Sequence, residues 1–200
     1  MGIFEPPEGY AEIRRVDFIK DKKLAVLINI AGLVVFVAVY VLGIMFVPID
    51  IRIASLHQVA IPLLVMGLAI IAFIVAHELI HGAFIKKYSG KKAKYGFSGL
   101  FAYAGSDAFF NKRQYIIIAL APVVILGALF LAFKLLLPVE WFWRVFFLQA
   151  LSLSGATGDV YITMILRKMP TDMLVTDVGT TMVFYSRESI TPPPTTVSPS

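Results

Sequence analysis

Residues 70–85 read Ile70-Ile71-Ala72-Phe73-Ile74-Val75-Ala76-His77-Glu78-Leu79-Ile80-His81-Gly82-Ala83-Phe84-Ile85. The run is apolar apart from one H-E-x-x-H. On a helix, positions i and i+4 share a face, so His77 and His81 offer two imidazoles to one metal ion. Glu78 stands beside the first of them, where its carboxylate can take a proton from a water held by that metal. Two histidines and a glutamate are costly at membrane depth, and such residues face a cavity or one another.

The rest of the chain supports a membrane setting. Of the 200 residues, 58% are hydrophobic and 16% are charged, and mean hydropathy is +0.82. Soluble domains are about half apolar and a quarter charged. Four apolar runs are each long enough to cross roughly 30 Å of hydrocarbon. They are Leu24–Val47, Val59–Ile85 with the motif, Tyr115–Leu137 and Trp141–Leu166. Trp141 and Trp143 suit an interfacial belt. The first run is too long for the apolar core of a cleavable signal.

Net charge is +5, but the basic residues sit at the ends of apolar runs, which argues topology and excludes a nucleic-acid patch. Arg14, Arg15, Lys20, Lys22 and Lys23 precede the first span. Lys86, Lys87, Lys91, Lys92, Lys94, Lys112 and Arg113 separate spans two and three. Arg167, Lys168 and Arg187 follow span four. The opposite loops hold Arg52 and Arg144, and Lys134 can snorkel from the outer end of span three. Positive charge on the inner side places both termini in the cytoplasm of a multi-pass cell-membrane protein. There is no cysteine, so disulfides and thiolate zinc sites are excluded.

The expected fold class is an all-α integral membrane protein, with four transmembrane helices and small cytoplasmic β-hairpins. Residues 1–23 form a cytoplasmic leader. The spacing of Tyr10, Ile13, Val16 and Ile19 suggests an amphipathic surface helix there, and a solvated leader is the alternative. Residues 24–168 hold the four-helix domain. Ala93–Phe97 and Leu100–Ala104, around Ser98-Gly99, read as one hairpin. Residues 169–188 are a short cytoplasmic segment, where Met173–Thr176 and Thr181–Tyr185 read as a second. Residues 189–200, rich in proline, serine and threonine, have the composition of a disordered tail.

A catalytic zinc takes three protein ligands and one open position. His57 and Glu140 fall on the opposite side of the membrane. Asp159, Asp107 and Asp177 remain. At 1.5 Å per residue, His81 lies roughly 8 Å inside the cytoplasmic end of its span, His77 roughly 14 Å and Asp159 roughly 12 Å. Asp159 therefore matches the histidines in depth. Ser152, Gly155, Asp159 and Thr163 share a face whose small residues allow close helix packing. Asp107 reaches the site only if its loop folds inward. A hydrogen bond to a neighbouring Ser, Thr or Lys is the plainer role for Asp159. Asn111 and Ser106 are candidate oxyanion donors, and the strand edges of residues 88–114 are a candidate peptide platform. Pro62 and Pro122 read as helix kinks.

A-H-E-L-I-H-G in span two, with S-G-A-T-G-D in span four, resembles the putative membrane zincin peptidases, which are similar in layout to the site-2 proteases. The resemblance covers residues 10–187. It implies zinc on His77, His81 and Asp159, with Glu78 as general base. Site-2 proteases carry N-P-x-x-D-G at the third ligand, whereas Asp159 here lies in G-A-T-G-D-V. The expectation is a zinc metalloendopeptidase cleaving peptides or membrane proteins near the cytoplasmic face, in contact with lipid and without nucleic acid. Two histidines and a carboxylate also suit iron. The rival class is a non-enzymatic membrane protein, either a metal or proton transporter or an inactive relative that binds partner helices. The spans lack the duplicated pattern many transporters carry.

Overall fold

The computed structural model describes residues 2–47, 56–99 and 101–187. The expected tail, residues 189–200, lies outside them. The described residues hold five strands and five α-helices: β1 Ala11–Asp17, α1 Lys22–Phe46, α2 Leu56–Ser89, β2 Lys94–Phe97, β3 Ala102–Asn111, α3 Lys112–Leu136, α4 Phe142–Gly155, α5 Thr157–Arg167, β4 Leu174–Asp177 and β5 Thr181–Ser186.

Four helical stretches among the described residues are long and apolar enough to cross a membrane: Lys22–Phe46, Val59–Ser89, Lys112–Leu136 and Val139–Arg167. This marks the chain as a membrane protein. The outward faces keep large apolar side chains exposed, with Val34 at 60% and Leu63 at 65%, as lipid contact requires. Small residues set the packing of α1 on α4. A Cβ at Gly43 would stand 2.5 Å from the Phe146 ring, and one at Gly32 would stand 3.0 Å from the Ser154 carbonyl oxygen. Such close backbone approach is how helices associate where lipid is as apolar as their side chains.

The all-α expectation is wrong. The strands join into one five-stranded antiparallel sheet in the order β1-β5-β4-β3-β2, so the protein is a mixed α/β structure. Both hairpins form where the sequence suggests. Their union rests on pairings distant in sequence, Ala11 with Ser186 in β1–β5 and Asn111 with Leu174 in β3–β4. Local propensity carries no trace of such partners. The leader is also corrected, because its periodic stretch is a strand and not an amphipathic helix. A bulge between Glu12 and Arg14 inserts one residue into the ladder. Ile13 and Val16, three apart, therefore both pack on the core, which imitates a helical period.

The fourth span is also interrupted. Helix α4 ends at Gly155 and α5 starts at Thr157. The Thr157 hydroxyl donates to the Ser154 carbonyl, 2.5 Å away.

Every strand adjoins the same end of the helices, since β1 leads into α1, α2 into β2, β3 into α3 and α5 into β4. The Asn111–Lys112 junction is sharp because Asn111 caps α3. Its side chain accepts from the Gln114 amide at 2.9 Å, and Gln114 Oε1 accepts from the Asn111 amide at 3.0 Å, a capping box. The main core lies between sheet and helix ends, with Phe110, Val175, Met173 and Phe184 from the sheet side against Ile85, Ile118 and Leu166. A second cluster, Phe73, Leu126, Phe130 and Val145, sits within the bundle. Phe184 is fully buried. Phe184→Ala is expected to cost about 3–5 kcal/mol, read as a fall in the unfolding midpoint in detergent. A shift within error would show that the sheet does not support the helices.

Candidate metal centre

Helix α2 carries His77, Glu78 and His81 past the end of α5, where Asp159 occupies the first turn. The ligand atoms of His77, His81 and Asp159 all lie within 4.8 Å of one another. His77 Nε2 is 3.4 Å from Asp159 Oδ2, and His81 Nε2 is 3.5 Å from Asp159 Oδ1. The two Nε2 atoms are 3.1 Å apart. A third contact orients the cluster. His81 Nδ1 lies 2.9 Å from the Ile118 carbonyl oxygen of α3. A carbonyl oxygen only accepts, so Nδ1 carries the proton and Nε2 presents its lone pair.

The donor set fits a divalent metal. Two imidazole nitrogens and a carboxylate converge, which is the ligand chemistry of catalytic zinc. Without a cation, one Nε2 must carry a proton toward the other. His77 Nδ1 is buried and has no hydrogen-bond partner, an arrangement costly without compensation elsewhere on the ring.

The other acids separate cleanly. Asp107 is exposed on β3 and pairs with Lys94 of β2, so its loop does not fold inward. Glu140 lies in the exposed turn before α4. His57 belongs to the first turn of α2, roughly 30 Å along the axis from His77. Asp177 at the end of β4 does reach the site's cavity, but it accepts from the Tyr115 hydroxyl and from the Gly179 amide at 2.7 Å. Neither candidate oxyanion donor lines that cavity. Asn111 caps α3, and Ser106 Oγ accepts from the Ala108 amide at 3.1 Å.

A cavity of about 390 Å³ opens beside the cluster, within the range of small binding sites. Glu78, Tyr115 and Asp177 line it, together with Phe101–Ala104 of the β3 segment and Asn29 and Gly32 of α1. The sequence reading gave α1 as a span but not as part of this cavity's wall. Asn29, a lone amide in an apolar run, was the available signal. Two glycines let the sheet close this wall. Gly179 has φ +96°, and a Cβ at Gly105 would stand 2.6 Å from the Gly179 nitrogen. Gly82, which follows the motif, leaves room for the Tyr95 hydroxyl of β2.

Fold and site together define a membrane-helix protein with a two-histidine, one-carboxylate centre beside a glutamate. The chain belongs to the family described as putative zincin peptidase, whose model matches residues 69–174. That stretch runs from the motif helix through Asp159 to the first residue of β4. An uncharacterized 24.7 kDa protein in the gap 5' region of Pyrococcus woesei is 30% identical over 134 residues, 64% of this chain and 54% of that protein. The chain thus spans about half the length of that curated relative. No solved structure matches the chain at a significant level.

Burial pushes the Asp177 carboxyl above the usual carboxylate range, against the lowering effect of its Tyr115 and Gly179 hydrogen bonds. A raised carboxyl stabilises the fold fully only below its ordinary value of about 3.9, and the contribution fades as pH rises through the folded-state value. Asp17 and Asp172 are shifted downward and give the opposite slope. The informative quantity is therefore wild type minus Asp177→Asn. The wild-type midpoint is expected to fall relative to the variant as pH rises from about 4 to 7. Parallel profiles would refute it.

Proposed function

We propose that this protein is a zinc-dependent, membrane-embedded metalloprotease that hydrolyses peptide bonds near the cytoplasmic membrane face. The observation that carries the reading is the three-ligand cluster with Glu78 beside it, both opening on one cavity. His77, His81 and Asp159 would hold the metal. Zinc bound there would supply Lewis acidity toward a carbonyl and toward water near neutral pH.

The remaining work falls to the chain. Glu78 accepts the proton of the attacking water on its carboxylate and returns it to the leaving amine nitrogen. The Ile118 carbonyl keeps the His81 proton on Nδ1, away from the ligand side. Tyr115 and Asp177 hold one another and close the cavity on the sheet side. β2 is an edge strand crossing beside Gly82, and an extended peptide or an unwound membrane-protein segment pairs with such an edge. The basic residues cluster at the sheet end of the helices, and the positive-inside rule supports a cytoplasmic position for that end and both termini.

Metal analysis and peptide cleavage of the purified protein test the reading together. Glu78→Gln is expected to retain zinc and lose at least about 10²-fold in cleavage rate. Asp159→Ala is expected to lose zinc as well. A Glu78→Gln protein that cleaves at the wild-type rate removes Glu78 from the mechanism. A wild type that holds iron and not zinc changes the metal.

A further inference from the structure

The carbonyl that holds His81 is free for a reason written four residues later. In an α-helix the amide of residue i bonds the carbonyl of residue i−4. The partner due to the Ile118 carbonyl is the amide of residue 122, inside α3. That residue is Pro122, which has no amide hydrogen. A proline in a membrane helix frees a carbonyl that a neighbouring group or an ordered water must satisfy. Here the group is His81 Nδ1, at 2.9 Å. Ile118 is 2% exposed and His81 is 9% exposed, and Pro122 is among the fully buried side chains.

We propose that Pro122 is a positioning residue for the metal centre. By withholding an amide hydrogen it leaves the Ile118 carbonyl to hold His81 Nδ1–H, which aims Nε2 at Asp159. The inference deepens the metal-site reading and rests on it for its role in zinc binding. The geometry it invokes exists without metal. A metal-ligating histidine commonly donates its other ring N–H to a carbonyl or carboxylate, and losing that partner weakens metal binding about 10–100-fold. What is particular to this chain is the source of the acceptor, a gap in the hydrogen-bond ladder of another helix. Any other residue at position 122 brings back an amide aimed at the same oxygen.

The test compares full-length wild type, Pro122→Ala and a Pro62→Ala control, together with a form carrying the α-hydroxy analogue of alanine at position 122. That analogue forms an ester, so it lacks both the amide hydrogen and the proline ring. Two readouts are taken. One is the imidazole ¹⁵N–¹H spectrum of the metal-free protein, which reports the tautomer of His81. The other is zinc affinity by titration. Wild type and the ester form are expected to show a protected Nδ1–H on His81 and equal zinc affinity. Pro122→Ala is expected to lose that protection and to bind zinc about 10–100-fold more weakly. Pro62→Ala should match wild type.

The proposal is overturned if Pro122→Ala keeps both the protected Nδ1–H and wild-type affinity. It is also overturned if the ester form behaves as alanine does, because the ring and not the missing hydrogen would then matter. If Pro122→Ala does not fold, the ester form decides alone. If wild type binds no zinc, the metal reading fails while the tautomer comparison still settles the role of Pro122.

Discussion

One imidazole joins three helices. His81 extends from α2, donates through Nδ1 to a carbonyl of α3, and turns Nε2 toward a carboxylate of α5. It is 9% exposed, and a polar group buried among membrane helices needs a protein partner or a metal. That constraint explains features that look unrelated along the chain. The helix carrying Asp159 must start close to α2, α3 must release a carbonyl at the right height, and no bulky side chain can intervene.

The break in the fourth span answers the first of these demands. An aspartate is short, so its backbone has to come near the two imidazoles. Helix α4 stops at Gly155 and α5 restarts at Thr157, which places Asp159 in a first turn, facing the positive end of the peptide dipoles. A Cβ at Gly155 or Gly158 would meet nothing within 4 Å. Those glycines leave the approach to the carboxylate open on the cavity side.

The motif, its two histidines at helical spacing and the nearness of Asp159 to them were legible because each rests on local periodicity or residue counting. So were the four spans, to within a few residues at their ends, and both hairpins. The single sheet was not, because β1 and β5 stand at opposite ends of the chain and nothing local marks them as partners. The bulged strand defeated the period argument at Ile13 and Val16. Pro122 was read as a kink, which describes its effect on α3 alone. Its effect on His81 depends on which helix lies beside the vacated carbonyl, and that is tertiary information.

The sheet gives the centre its second wall. It gathers the ends of α1, α2, α3 and α5 and stands them against a shared core of Phe110, Val175 and Phe184. The helices could associate through Gly32 and Gly43 without it, since those contacts lie within the span. They could not enclose the cavity. Phe101–Ala104, Asp177 and Gly179 all reach it from the sheet side, and the close approach of Gly105 to Gly179 is what brings β3 and the β4–β5 turn together there. The polar cluster is thus assembled by helices, while the space in front of it is shaped by strands. Changes in the strands can alter what enters that space without touching His77, His81 or Asp159.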